Sequence, residues 1–581
     1  MVRKNTQKDK QNERPPNVFG VLRPYKWMIM FMVVFALLSN GVNLAIPKLI
    51  SHGIDSFSTG HFIIKTIVIE FLIASIVIFI FTYLQSIVQT FASERVARDM
   101  RMQLSHKISR QSYAYIQNTN PSRLLTNLTS DIDSIKMFVS LAVVSIASSI
   151  FIIIGSCALL ISINWRLAIP VIFIIPLIGG VFFIVFRKVR ELFKKSREIV
   201  DWLNKVINES ILGAAIIRVL NSQYLEYEKF LMANMNAKNL GFSILRLFAT
   251  LIPIITFVAN MAMLTILALG GHFVVKGSMT LGDFAAFNSY VTMMIFPIII
   301  IGFMSNIIAQ ASASYERVSQ VLNAPEALEH GTVEATLHGN IDLNNITIKY
   351  GDKFALKNVS FSVKPGTNTA IIGPTAAGKS QLLYLLTGLI KQSSGTVKFD
   401  DKEIDDYKKE SFHSQIGFVF QDSVIFNLSL RENIAFNNSV TDESLQKAVD
   451  TSELNDFIES LPDKLDTIVS ERGNSLSGGQ KQRIMLARAL AVNPGILLLD
   501  DFTARVDRQT EQKIFCNLLN NYPDLTLISI TQKIASVKNF DQIILLMEGE
   551  LIAKGKHKDL KVSCPEYAQI YNSQRSTSHY D

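Results

Sequence analysis

The chain has 581 residues, 49% of them hydrophobic and only 18% charged, with a formal net charge of +8. This composition excludes a disordered chain and an ordinary soluble enzyme, and the length excludes a single small domain. Residues 1–330 hold 30 Lys+Arg against 18 Asp+Glu and the remainder 27 against 31, so the basic excess travels with the apolar half and points to a membrane, with no nucleic-acid partner.

The chain opens on a polar 16-residue tail with Arg3, Lys4, Lys8, Lys10 and Arg14, then an amphipathic run, Asn17–Lys26, that adds Arg23 and Lys26. Six long apolar stretches follow, near Trp27–Ile46, Phe62–Val88, Phe138–Ile163, Trp165–Phe186, Leu247–Gly270 and Leu281–Ile308. Each reaches the roughly 20 residues a helix needs to cross a hydrocarbon core of about 30 Å. The basic tail places the N-terminus in the cytoplasm, and six crossings return the chain there. The connections assigned to the far side, Pro47–His61, Asn164 and Gly271–Thr280, carry only Lys48 and Lys276 as Lys or Arg. The cytoplasmic connections, residues 89–137 and 187–246, are rich in both. Trp27 and Trp165 stand at span ends, where interfacial tryptophans gather.

The cytoplasmic connections have helical periodicity and few breakers, so they are expected to project as long helices. Each holds one short break where direction can reverse, Tyr113–Ser122 and Ser210–Asn221. Glu70 lies about eight residues into the second span, and a carboxylate at that depth is a candidate attractor for cationic substrates. Cys157, Cys516 and Cys564 are too few and too scattered for a disulfide framework or a zinc site.

Composition changes at the polar stretch Asn323–Leu337, after which strand and helix patterns alternate as in an α/β domain. An apolar strand, Thr369–Ile372, runs into Gly373, Pro374, Thr375, Ala376, Ala377, Gly378, Lys379 and Ser380, and a helix is expected from Gln381 to Leu389. This is the phosphate-loop pattern in its required strand–loop–helix setting. Its glycines let backbone N–H groups turn toward phosphate, Lys379 reaches the β and γ phosphates, and Ser380 holds Mg2+. A second apolar strand, Ile496–Leu499, ends in Asp500, a carboxylate suited to the same Mg2+. Between them, Leu476, Ser477, Gly478, Gly479 and Gln480 precede a helix, forming a second phosphate-seeking N-terminus. One nucleotide cannot easily use both sites within one chain, whereas two chains facing each other can share them.

With these motifs the chain resembles an ATP-binding cassette (ABC) exporter half-transporter over nearly its whole length. The resemblance implies a six-span α-helical bundle of the type I exporter (type IV ABC transporter) kind, followed by an α/β P-loop ATPase domain. The expected divisions are a membrane domain at 1–320, a linker at 321–337 and an ATPase domain at 338–581. ATP and Mg2+ are the implied cofactors. Gln381 follows the phosphate loop and joins the nucleotide-binding residues. Gln421 resembles the family's Q-loop glutamine at the Mg2+, and Tyr350 the aromatic that stacks on adenine. Asp507 resembles its D-loop aspartate, and Glu471-Arg472-Gly473 the segment before the signature. Ser477, Gly478, Gly479 and Gln480 match the signature, which acts in trans on a partner's ATP.

Two positions depart from the family pattern. The residue after Asp500 is Asp501, where the family places the glutamate that polarises water. The strand Leu525–Ile530 is followed by Thr531 and Gln532, where the family places histidine; His557 belongs to a later segment. Both changes beside an intact signature fit a heterodimeric exporter with one degenerate ATP site. The expectation is a multi-pass protein of the bacterial cell membrane with both termini cytoplasmic. It exports hydrophobic or amphipathic small molecules, multidrug-style, with a second half-transporter and the lipid bilayer as partners. Alternatives are a lipid or lipid-linked translocator, a homodimeric exporter and a regulatory ATP-binding subunit.

Overall fold

The computed structural model describes residues 18–60, 64–326, 331–470, 473 and 475–577. The tail with Arg3, Lys4, Lys8, Lys10 and Arg14, the start of the second apolar stretch at Phe62, and Glu471 and Arg472 lie outside them. The chain divides into two compact units. One takes residues up to Arg110 and Thr119–Pro325; the other takes Gln111–Asn118 and Glu326 onward.

The first unit is helical. A short amphipathic turn, Val18–Tyr25, leads into α1 (Lys26–Ser58), then α2 (Ile64–Ser109), α3 (Val143–Ile172), α4 (Ile174–Leu212), α5 (Gln223–Thr265) and α6 (Leu281–Leu322). Among the described residues, five helical stretches are long and apolar enough to cross a membrane: Val18–Ser58, Ile64–Ser109, Pro121–Ile172, Pro253–Val275 and Leu281–Leu322. The remaining expected span, Trp165–Phe186, runs through the end of α3 into α4, and several of its side chains lie outside the described set. Many large apolar side chains of α2 point outward, Phe79 and Val68 being 68% and 57% exposed. A surface of this kind is stable against lipid and not against water.

The spans start and stop for local reasons. At Asn164 the backbone turns extended (φ −155°, ψ 104°), and its side-chain oxygen accepts from Arg166 N (3.1 Å) and Leu167 N (3.2 Å). Asparagine thereby caps the next helical stretch, which is why a single residue suffices as a connection. At Pro47 the sequence reading fails. A loop was expected from Pro47, yet α1 continues through it to Ser58. Proline removes one helical donor, but packing against α6 outweighs that loss. Asp55 accepts from Thr280 Oγ1 and Gly282 N, both at 2.8 Å, and Tyr290 Oη donates to Leu44 O at 2.9 Å. Gly282 permits the approach, since a Cβ there would stand 2.1 Å from Ser51 O. Likewise the expected loop from Gly271 begins later, because helix persists through Val275. Residues 89–137 and 187–246 are largely helical, and short helices, Tyr113–Thr119 and Ala214–Val219, occupy their expected reversal points. Glu70 lies half-buried on α2.

The second unit is built on two sheets. β1 (Ile341–Tyr350), β2 (Lys353–Val363), β4 (Ser394–Phe399) and β5 (Lys402–Glu403) form an antiparallel sheet in the order β2-β1-β4-β5. β3 (Asn368–Ile372), β6 (Ile416–Val419), β7 (Ile496–Asp500), β8 (Thr526–Ile530), β9 (Gln542–Met547) and β10 (Glu550–Gly555) form the other, in the order β10-β9-β3-β8-β7-β6. Five of its strands run parallel, and β10 pairs antiparallel at the edge. Helices α7 (Lys379–Leu386), α8 (Gly478–Leu490), α9 (Arg508–Asn521) and α10 (Pro565–Thr577) belong to this unit. Residues Ile496–Leu499 of β7 are apolar without interruption because both faces are covered. Ile496 and Leu498 join a core with Leu382 and Leu386, while Leu497 and Leu499 join another with Ile484 and Leu490.

Candidate nucleotide site

Strand register assembles the site. Val419 of β6 pairs with Leu499 of β7, Asp500 pairs with Ile530 of β8, and Ile371 of β3 pairs with the same Ile530. The residues that leave these strands, Gln421, Asp501, Gln532 and Gly373, therefore emerge along one carboxyl edge, where parallel sheets hold their ligands.

The loop after β3 is shaped by backbone that other residues would block. A Cβ on Gly373 would lie 1.9 Å from Leu546 O, and one on Gly378 (φ 90°) would lie 2.3 Å from Ala355 O. Pro374, Thr375 and Ala376 form the exposed crest, with Ala376 at φ 66°, and Ala377 is buried beneath them. α7 starts at Lys379, two residues before the expected Gln381. Lys379 is 8% exposed, and its Nζ donates to Gly373 O (2.9 Å) and Pro374 O (2.7 Å). Burial lowers its pKa, against Asp501 and Asp500, which raise it.

Asp500 is 1% exposed, and its Oδ2 has no hydrogen-bond partner among the described residues. Burial pushes its carboxyl up, Asp501 and Asp422 add to this, and the Ser380 hydroxyl and Lys379 draw it down. An orphaned carboxylate oxygen beside a hydroxyl suits a hard divalent cation, and the loop over the helix N-terminus suits phosphate. The residues present thus fit a nucleoside triphosphate with its metal. Asp422 was not singled out from the sequence, although it directly follows Gln421.

Asp501 adopts the left-handed conformation (φ 49°, ψ 36°), which aspartate tolerates better than most residues, and its N–H donates to Ile530 O at 3.1 Å. Burial raises its carboxyl, and Lys379 and Lys533 lower it. Gln532 follows on the neighbouring strand with its side chain exposed. Two further residues position this edge, and neither belongs to a sequence motif. Lys533 Nζ donates to Thr503 O (2.9 Å). Gln574 of α10 donates to Gln532 O (2.6 Å) and accepts from Ile534 N (3.0 Å). Gln574→Ala removes both bonds, an expected loss of about 1–2 kcal/mol of local stability. Amide exchange at Ile534 should then accelerate roughly tenfold, with global unfolding little changed.

Tyr350, at the end of β1, is 55% exposed, and its hydroxyl donates to Gln381 Oε1 at 2.7 Å. The peptide oxygen of Gln421 accepts from Gln482 Nε2 (3.2 Å), tying it to α8. Tyr113, from the first reversal segment, belongs to this unit. Its ring meets Tyr384 of α7 edge-on at 5.8 Å, and Tyr384 in turn meets Phe418 and Phe420, just before Gln421. Burial, then Tyr113, Asp500 and Asp422, push the Tyr384 hydroxyl up to about 12.

Ser477 caps α8. Its Oγ accepts from Gln480 N (3.2 Å), and Gln480 Oε1 accepts from Ser477 N (2.8 Å). This reciprocal cap fixes the helix start and orients its first amides. Gly478 and Gly479 pack on Arg505, where added Cβ atoms would lie 3.0 Å from Arg505 Cδ and 2.9 Å from Arg505 O. Asp507 caps α9 through Thr510 N at 2.9 Å.

Known proteins match this architecture in both halves. Residues 29–298 match the ABC transporter transmembrane region and residues 356–504 the ABC transporter family. YfiB of Bacillus subtilis, an uncharacterized ABC transporter ATP-binding protein, is 32% identical across 95% of this chain and 97% of its own. An ATP-dependent lipid A-core flippase of Desulfotalea psychrophila is 29% identical across 85% of this chain and 87% of its own. A Staphylococcus aureus ATP-binding/permease protein named for multidrug export is 25% identical across 95% and 98%. The fold is that of a bacterial Atm1-family ABC exporter solved with ATP bound, with TM-score 0.78 and 23% identity over 96% of this chain and 99% of that one. The chain belongs to the ABC transporter family, as a half-transporter with an N-terminal transmembrane domain and a C-terminal ATP-binding ABC ATPase domain.

Proposed function

We propose that the chain is the degenerate-site subunit of a heterodimeric exporter of hydrophobic or amphipathic small molecules, working by alternating access. The observation that carries this reading is the pairing of Asp501 and Gln532 at the strand edge with an intact cap at Ser477. Asp501 is one methylene shorter than glutamate, which withdraws the carboxylate by about 1.5 Å. A displacement near 1 Å can cost on the order of 100-fold in rate. Gln532 can donate a hydrogen bond but carries no positive charge. This chain's phosphate loop therefore binds ATP and turns it over slowly, completed by the partner's signature. Ser477, Gly478, Gly479 and Gln480 complete the partner's faster site.

Within the chain's own site, Ser380, Gln421 and Asp500 would hold Mg2+, which supplies positive charge at the phosphates when bound. Tyr350 flanks the adenine, and Gly373 to Gln381 enclose the phosphates. The contact of Tyr113 with Tyr384 supports the first reversal segment as a coupling element, with Ala214–Val219 as its counterpart. The protein resides in the bacterial cell membrane with both termini in the cytoplasm.

The multidrug-named Staphylococcus aureus relative supports small-molecule export, and the lipid A-core flippases give lipid translocation as a second reading. Vesicles containing this chain and the half-transporter that co-purifies with it separate the two. The expected result is ATP-dependent efflux of an amphipathic dye without movement of a fluorescent lipid between leaflets. Lipid movement without dye efflux would reassign the substrate class.

A further inference from the structure

A cavity of about 1210 Å³ lies in the second unit between α9, the segment after β8 and the C-terminal helix α10. No residue of the phosphate loop lines it; it touches the nucleotide edge only through Gln532 and Lys533. Its volume is ample for a drug-sized molecule, since such sites span roughly 300–1,000 Å³.

The lining has three chemical parts. Phe515, Leu518, Tyr522, Leu525 and Leu527 make an apolar wall, with Leu518 and Leu527 each 3% exposed. Arg508, Lys533, Lys538 and Arg575 bring four cations against one carboxylate, Glu511. Glu511 is only 3% exposed, and its Oε1 has no hydrogen-bond partner among the described residues. A buried carboxyl oxygen without a donor has lost its hydration uncompensated, and a ligand N–H or O–H would supply the missing bond. Burial pushes the Glu511 carboxyl up, and Ser536, Lys533 and Arg508 draw it back.

We infer that this cavity is a binding site for a small amphipathic organic anion. Its apolar body packs on the Phe515–Leu527 wall, its negative group meets the basic rim, and an N–H or O–H donates to Glu511. The roof is the segment that carries Gln532, so an occupant would touch the backbone beside the nucleotide edge.

Cys516 is exposed and lines the cavity, which makes it a reporter. The full-length chain in lipid nanodiscs is alkylated with N-ethylmaleimide, with Cys516 and Cys157 followed separately by peptide mass spectrometry. The probe is 8-anilinonaphthalene-1-sulfonate, which carries an aromatic body, a sulfonate and an N–H. At about ten times its dissociation constant it should slow Cys516 alkylation roughly tenfold and leave Cys157 unaffected. N-phenyl-1-naphthylamine, which lacks the sulfonate, should protect far less. Glu511→Leu and Lys538→Glu should each weaken probe protection about tenfold. Lys538 is exposed, so its variant keeps the test valid if Glu511→Leu misfolds. The proposal is overturned by absent protection, by equal protection of Cys157, by equal protection from the neutral amine, or by protection unchanged in Lys538→Glu.

Discussion

Gly479→Asp in this chain should reduce ATP turnover of the assembled heterodimer by on the order of 100-fold or more, whereas Asp501→Asn should change it by less than about twofold. The asymmetry follows from which site each residue serves. A Cβ at position 479 would stand 2.9 Å from the Arg505 carbonyl, so the start of α8 must shift. The new carboxylate would also face the partner's phosphates, where the amide dipoles of α8 favour a negative ligand. Preorganised donors of this kind are what stabilise charge developing in a transition state. On the proposed division of labour Asp501 serves the slow site, so its amide variant should remove little that the cycle depends on. Steady-state phosphate release from the reconstituted pair measures both. If Asp501→Asn proved the more damaging change, the division of labour between the two sites would be reversed.

Asp501→Glu combined with Gln532→His should raise turnover at this chain's own site by on the order of 100-fold. The backbone at 501 is held by its N–H to Ile530 O at 3.1 Å, so the added methylene should extend the carboxylate without moving its origin. Lys379, against which the Asp501 charge already acts, remains in place. Histidine at 532 adds a group that can carry positive charge near neutral pH. Gln574 holds the carbonyl of residue 532 and the amide of Ile534, and these backbone bonds do not depend on the side chain at 532. Single-turnover hydrolysis by the assembled pair, with the partner's own phosphate loop inactivated, with and without the two substitutions, reads the gain. An unchanged rate would show that these two positions do not limit the chemistry.

Much of the nucleotide site is legible in the sequence because parallel strands end where their ligands begin. Four apolar residues followed by Asp500 specify a strand with both faces covered and a carboxylate at its end, and the register then pairs it with Ile530, on the sheet edge from which Gly373 also departs. Asn164 is equally legible, since one asparagine can break one helix and cap the next. Pro47 is not, because its helix is held by bonds from Thr280 and Gly282 to Asp55 and from Tyr290 to Leu44, and those donors lie far away in sequence. Lys533 and Gln574 are hidden for the same reason: neither forms a motif, and each acts through a backbone carbonyl of another segment. Tyr384 reads as core filler in its helix and becomes informative only when Tyr113 is found against it. The cavity under Gln532 has no linear signature, because α9, the segment after β8 and α10 each supply a part.

On the proposed reading, this chain by itself binds ATP and hydrolyses it only slowly. Its most direct test is steady-state ATPase activity of the purified chain alone in lipid nanodiscs, beside photolabelling with an azido-ATP. Labelling should be strong and lost in Lys379→Ala, while phosphate release should match that inactive variant. Vigorous turnover by the unpaired chain, near the roughly 10 per second of a typical enzyme, would contradict the account.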